Sequence, residues 1–102
     1  MSIKKQVLKS KPICKVSFKV EKSEAQGASN VSVVGDFNNW DEAAGEMKAL
    51  KDGSFSITLE METGRDYRFR YVADGQTWFN DPESDNFEVS EFGDSENSVI
   101  SL

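Results

Sequence analysis

The sequence contains no histidine, a single cysteine and no long run of apolar residues. Without histidine, the commonest general base and metal ligand is missing. Cys14 has no second cysteine with which to form an intramolecular disulfide, which agrees with a reducing compartment. No segment has the length of a membrane span or the apolar core of a signal peptide. The sequence therefore predicts a cytoplasmic protein without a membrane partner.

The length and the charge distribution limit the partners further. A chain of 102 residues supports one small domain with a single core. Residues 1–22 contain seven Lys and one Glu, whereas residues 23–102 contain five basic and seventeen acidic residues. An acidic body repels phosphate backbones, so nucleic acid is not an expected partner. We expect residues 1–12 to form a flexible Lys-rich amino-terminal tail and residues 13–102 to form the folded domain.

Apolar and polar residues alternate along most of the chain, which is the pattern of strands with one buried face. The clearest strands are predicted at residues 14–20, 55–61 and 67–73, and shorter ones at 31–35, 47–50 and 97–102. The segment between Pro82 and Asn97 is expected to be loop-like. The spacing of these strands predicts an all-β protein, with seven or eight short strands in a β-sandwich.

Two polar, turn-forming segments each follow a strand and each carry a Trp. Residues 36–46 are rich in Asp, Asn and Gly and predict a structured loop, in which Phe37 plugs onto the sandwich and Asn38 and Asn39 make local hydrogen bonds. Trp40 and Trp78 are both expected on loops leaving strands, although Trp is usually buried. Two exposed Trp side chains favour a flat ligand.

Several motifs together resemble one known family, the family 48 carbohydrate-binding modules. These motifs are Gly35-Asp-Phe-Asn-Asn-Trp40, the Tyr67-Arg-Phe-Arg-Tyr71 strand, Asp74-Gly75, Trp78, Asp81-Pro82 and Asn97-Ser-Val-Ile100. The family includes the glycogen-binding domain of the AMP-activated kinase beta subunit and the amino-terminal domains of isoamylases and branching enzymes. The resemblance covers about residues 13–102 and implies an immunoglobulin-like (early set) β-sandwich of seven or eight antiparallel strands.

The resemblance also implies a set of carbohydrate-binding residues. In the kinase beta subunit the glucan site contains two Trp, a basic residue on the strand before the second Trp, a large apolar residue on a late loop, and an Asn before the last strand. Thr77 is an additional residue before the second Trp, and the late loop is about one residue longer. The matching residues of this chain are Trp40, Trp78, Arg70, Phe92 and Asn97.

Catalysis and cofactors have no comparable support in the sequence. With so many carboxylates, some pair always satisfies the spacing needed for glycoside hydrolysis, and no pair stands out. Cys14 falls on an inward position of its strand, where a buried, inert thiol is expected. The carboxylates between Asp81 and Asp85 lack the Gly and the terminal Glu of an EF-hand, so no metal site is predicted.

The leading hypothesis is therefore a non-catalytic module that binds α-1,4-glucan such as glycogen, starch or maltooligosaccharide. The alternative is a protein-interaction module that docks on a separate glycogen-metabolising enzyme or kinase and binds little sugar. We expect the protein to be a monomer. Of two options, a standalone protein and a piece of a larger enzyme, we favour the standalone protein.

Overall fold

The computed structural model describes residues 2–8, 10–25, 27–89 and 96–102. Within them lie one four-residue helix and nine strands. The strands are β1 (Ser2–Val7), β2 (Ile13–Val20), β3 (Val31–Gly35), β4 (Lys48–Ala49), β5 (Phe55–Glu62), β6 (Asp66–Ala73), β7 (Thr77–Phe79), β8 (Asn86–Val89) and β9 (Glu96–Ser101), and the helix is α1 (Lys22–Ala25).

The strands form two antiparallel sheets that face each other. Sheet A has the order β1-β2-β5-β4, and sheet B has the order β3-β6-β9-β8 with β7 paired to β6. This arrangement confirms the predicted β-sandwich. Sheet B is built around β6, because one edge of β6 pairs with β3 and the other edge pairs first with β9 and then with β7.

The core lies between the sheets and follows the predicted alternation. The Phe18 ring of β2 lies 5.2 Å from the Phe69 ring of β6 and 5.9 Å from the Phe37 ring, between centroids. Phe37 therefore packs against the core and attaches the loop after β3 to the sandwich, as predicted. Burial of such rings is the main favourable contribution to folding, at about 25 cal/mol per Å² of apolar surface.

Residues 2–7 differ from the expected tail. They form β1, which pairs with β2 over six residue pairs, so this segment belongs to sheet A rather than preceding the domain. Lys5 lies opposite the buried Val16 and therefore points to the inner side of the sheet. Its ammonium group is satisfied there by Asp85 and by the carbonyl of Ser101, at 2.6 and 3.1 Å.

Two further strands differ from the sequence prediction. Trp78 lies within β7, a three-residue strand that pairs with β6, and not on a loop. The segment after Pro82 contains β8, which pairs with β9, so it is not loop throughout. Both strands are short, and both depend on hydrogen bonds to a longer neighbour rather than on a strong local pattern.

The Asp81-Pro82 motif anchors the connection between β7 and β8. Asp81 is fully buried; its carboxylate accepts hydrogen bonds from the Tyr71 hydroxyl at 2.7 Å and from the Glu83 backbone N–H at 2.8 Å. Burial, together with the negative charge of Asp81, raises the pKa of Tyr71 above its ordinary range. The Tyr71 hydroxyl therefore stays protonated and remains a donor to Asp81.

The loop of residues 36–46 returns to β3 through a very close backbone approach at Gly45. The Val33 N–H donates to the Gly45 carbonyl at 2.9 Å, and the Met47 N–H donates to the Val31 carbonyl at 2.8 Å. A Cβ atom at position 45 would lie 1.7 Å from the Val33 carbonyl oxygen. Only glycine fits here without moving the backbone of β3.

Substitution of this glycine should therefore destabilise the fold. We expect Gly45→Ala to lower the free energy of unfolding by about 3 kcal/mol or more, because the backbone of β3 must shift. Gly27→Ala is the control: a Cβ there meets nothing within 4 Å, and only its φ of +79° is unfavourable, at about 1–2 kcal/mol. Urea unfolding measures both, and equal losses would contradict this account of the loop.

The contact between Lys5 and Asp85 joins β1 to sheet B and has a defined pH dependence. Partial burial opposes ionisation of Asp85, but hydrogen bonds from Lys5 and from the Ser101 N–H together outweigh it and hold the pKa of Asp85 below its ordinary value. Because this pKa is lowered in the folded state, the ionised carboxylate stabilises the fold above the ordinary Asp pKa.

We therefore expect Asp85→Asn to cost about 0.5–1 kcal/mol of stability near neutral pH. The difference from the parent should be constant above about pH 4 and should shrink as the pH falls through the lower folded-state pKa of Asp85. Urea unfolding from about pH 7 to about pH 3 measures it. Asp66→Asn, at an exposed position of β6, removes the same charge as a control, and equal pH profiles for the two variants would contradict the role of Asp85.

Candidate functional site

The outer face of sheet B carries three of the sequence-predicted site residues. Side chains of β6 alternate, so Tyr67, Phe69 and Tyr71 fill the core while Arg70 and Val72 point outward. Arg70 points away from the core, as predicted. The pairing of β6 with β7 and β9 then determines which residues of those strands share this outer face.

Arg70 and Asn97 are directly bonded on this face. The Arg70 Nε donates to the Asn97 Oδ1 at 2.7 Å, although the two residues are 27 positions apart in the sequence. Asn97 is 9% exposed. The bond holds the guanidinium group and the amide in a fixed orientation relative to each other.

Trp78 lies beside this pair on the same face. It stands opposite Val72 in the register of β6 and β7, one outward position beyond Arg70 and therefore about 7 Å farther along β6. Side chains directly opposite on an antiparallel pair are in contact range. Val72 is almost fully buried although it points outward, whereas Trp78 keeps 45% of its surface exposed. Trp78 thus presents an aromatic surface to solvent.

Trp40 approaches the site from the other edge of β6, in the turn that follows β3. Its backbone N–H donates to the Gly35 carbonyl at 3.0 Å, and its indole Nε1–H donates to the Asp36 Oδ1 at 3.3 Å. The side chain is half-buried. The indole is therefore fixed by its polar edge against the first residue after β3.

The backbone of this turn is in an unfavourable conformation for two consecutive residues. Asn39 and Trp40 have φ values of +55° and +58°. Left-handed backbone is tolerated by Asn but costs about 1–2 kcal/mol for a residue such as Trp. Asn38 compensates locally, because its side chain accepts from the Gly35 N–H and donates to the Val33 carbonyl, each at 3.0 Å. The predicted local hydrogen bonding of Asn38 is confirmed.

Sequence reasoning missed the residues that support Trp40. Asp36 Oδ2 accepts the backbone N–H of Arg68 at 3.0 Å and lies 3.8 Å from the Arg68 guanidinium. Arg68 also forms an ion pair with Glu88 on β8. These contacts connect the Trp40 turn, β6 and β8 across the outer face. The only sequence signal is the acidic residue four positions before Trp40.

Four of the five predicted site residues lie in the described part of the chain. Arg70, Asn97 and Trp78 share the outer face of sheet B, and Trp40 lies at the end of β3 against Asp36. Phe92 lies outside the described residues. The structure therefore brings three of these residues onto one face and places the fourth in the adjoining turn.

The described residues contain no cluster of three or more acidic or cysteine side chains that is arranged to hold a metal ion. The carboxylate of Asp81 is engaged by Tyr71 and Glu83 in the interior, and Cys14 is buried. Within these same ranges, no helix is long and apolar enough to cross a membrane.

This β-sandwich, with an aromatic and hydrogen-bonding outer face, has the features of a carbohydrate-binding module. The chain matches the family described as the glycogen recognition site of AMP-activated protein kinase over residues 20–100. The match covers most of the sequence, and the chain belongs to this family of non-catalytic glycogen-binding modules. Among curated proteins, no sequence gives a significant match to the chain.

Asp36 is predicted to hold the Trp40 indole. We expect Asp36→Asn to lower stability by about 1 kcal/mol, because it weakens hydrogen bonds to the Trp40 and Arg68 N–H groups. It should also shift the emission maximum of Trp40, measured in a Trp78→Phe background so that only one indole is observed. Glu42→Gln changes a carboxylate of the same loop and should leave both quantities unchanged. Identical spectra for the two variants would contradict the contact with Asp36.

Proposed function

We propose that this chain binds α-1,4-glucan, as glycogen, starch or maltooligosaccharide, without cleaving it. The observation that carries the proposal is the exposed Trp78 next to the bonded Arg70–Asn97 pair on one sheet face. Trp40 forms the second aromatic surface of the proposed site. Phe92 completes it on the strength of the family resemblance.

The chemistry of a pyranose ring matches this face. Such rings have C–H groups on their faces and hydroxyls at their rims, so a binding site needs flat apolar surfaces beside hydrogen-bonding groups. In the proposal, the exposed ring of Trp78 covers a sugar face, while Arg70 and Asn97 meet hydroxyls.

The expected affinity is modest. Each aromatic contact contributes about 1 kcal/mol beyond its area burial, and a charge-assisted hydrogen bond from Arg70 contributes a comparable amount. Association entropy and ordering of the sugar offset much of this gain. We therefore expect a Kd of about 1 μM to 1 mM for a short oligosaccharide, and tighter retention on branched glycogen through multiple weak contacts.

Substitution of the two Trp residues tests the proposal. Titration with maltoheptaose and β-cyclodextrin should produce a saturable change in tryptophan fluorescence, whereas cellohexaose should not. Trp78→Ala should weaken maltoheptaose binding at least about tenfold, equivalent to 1.4 kcal/mol, because the stacked ring is lost. Trp40→Ala should weaken it as well. Each variant retains the other Trp as its fluorescent reporter.

Phe87→Ala is the matched control for these variants. Phe87 is 41% exposed, close to the exposure of Trp78, but stands opposite Ser98 and so points to the other side of sheet B. Its removal should not change the affinity for maltoheptaose. If both Trp variants bind maltoheptaose and glycogen as well as the parent does, the proposal is wrong.

A protein-docking function is the second candidate, and exposed apolar residues on edge strands favour it. Val7 on β1 and Val89 on β8 are 66% and 68% exposed although they occupy inward-facing positions. A glycogen-metabolising enzyme or kinase that adds to this side of the sandwich would cover them. Co-purification with one defined protein, lost in a Val7→Asp variant, together with no retention on glycogen, would favour docking over sugar binding.

A further inference from the structure

A groove of about 480 Å³ lies at the end of the sandwich, away from the outer face of sheet B. It runs between α1 with its following turn and the inner side of β7. Ligand sites commonly have volumes of about 300–1,000 Å³. The residues that line it include Ala25, Gly27, Ala28, Asp74, Thr77 and Phe79.

The short strand β7 separates this groove from the proposed glucan site. Trp78 stands opposite Val72 and faces outward, whereas Thr77 and Phe79 stand opposite Ala73 and Tyr71 and face the groove. Among the described strands, β7 pairs only with β6, so its second edge carries no neighbouring strand. A glucan chain that lies on Trp78 therefore needs to cross only β7 to enter the groove.

The walls of the groove combine apolar surface with fixed polar groups. Phe79 lies 5.3 Å from the Tyr71 ring, between centroids, which holds it in place. The Asp74 carboxylate is oriented by the Ser29 and Asn30 backbone N–H groups, at 2.9 and 3.0 Å. Groups that are already held in position lose little entropy when they bind a ligand.

Small residues make room on the opposite wall. Ala25 and Ala28 provide short side chains, and a Cβ added at Gly27 would meet no atom within 4 Å. Carboxylates at Glu24 and Asp74 disfavour an anionic ligand by charge repulsion. A neutral ligand with both C–H faces and hydroxyls suits this mixed lining.

We propose that this groove is a second saccharide subsite, which takes the continuation of an α-glucan chain that passes over β7 from Trp78. The inference rests on the proposed function, since it needs a glucan on the outer face. Beyond the proposed function, long glucans contact the protein on both sides of β7, whereas short glucans contact it on one side.

Amide chemical shifts test this claim directly on the unmodified protein. With ¹⁵N-labelled protein, maltotriose should shift the Trp78 indole resonance and leave the backbone amides of Gly27 and Ala28 in place. Maltoheptaose should shift all three. Shifts at Trp78 with both sugars, and none at Gly27 or Ala28 with maltoheptaose, would overturn the second subsite.

A groove-filling variant provides the second test. Thr77 is exposed, so Thr77→Tyr keeps a residue suited to a strand while it occupies the groove. We expect its affinity for maltoheptaose to fall about three- to tenfold, towards that for maltotriose, with maltotriose binding unchanged. Gln76→Tyr introduces the same side chain at the neighbouring hairpin position, outside the groove lining, and should bind both sugars like the parent.

The outcomes separate this inference from the proposed function. If neither sugar shifts the Trp78 resonance, the glucan site itself fails, and the second subsite fails with it. If both sugars bind at Trp78 with equal affinity, and Thr77→Tyr binds them like the parent, only the second subsite fails. The chemical-shift test remains decisive even if Thr77→Tyr does not fold.

Discussion

The alternation of side chains along β6 is the constraint on which the rest of the molecule depends. Its inward residues, Phe69 and Tyr71, pack in the core, and its outward residues, Arg70 and Val72, form the middle of the proposed site. A shift of one residue in the pairing of this strand would exchange these two sets. The same register places Trp78 and Asn97 next to Arg70, because β7 and β9 share one edge of β6. The pairing register of β6 therefore determines both the packing of the core and the arrangement of the proposed site residues.

The pairing register does not determine the positions of the loops. Carboxylates that are buried or hydrogen-bonded fix those positions. Asp81 accepts a hydrogen bond from the Tyr71 hydroxyl in the interior and so fixes the connection between β7 and β8. Asp36 accepts N–H groups from Trp40 and Arg68 and so fixes the turn after β3. In both places a carboxylate oxygen accepts hydrogen bonds from donors on neighbouring parts of the fold. Part of the high acidic content of this chain thus serves to position loops, independently of any ligand chemistry.

The sequence predicted the parts of the fold that depend on local pattern. Strands β2, β5 and β6 alternate strongly, and the inward or outward orientation of Arg70 followed from that alternation. The strand β1 was missed because its inward Lys5 breaks the pattern, and the compensating Asp85 is 80 residues away in the chain. The strand β7 has only three residues and exists through its pairing with β6. Likewise, the Arg70–Asn97 bond and the contact of Trp40 with Asp36 require a register and a left-handed turn that periodicity does not reveal.

The charge pairing on the outer face bears on the kind of ligand that suits it. Arg70 is bonded to the neutral amide of Asn97. Arg68 is shared between Asp36 and Glu88, whose two carboxylates balance the charges of Arg68 and Arg70, so this face holds no excess of positive charge despite its two arginines. An anionic ligand would have to displace these internal partners, and it would be repelled by the net charge of −6. A neutral sugar does not, because it exchanges hydrogen bonds with water for hydrogen bonds with groups already held in position. In the proposed site, recognition then depends on the shape and spacing of the aromatic surfaces rather than on charge, which is compatible with a strongly acidic domain.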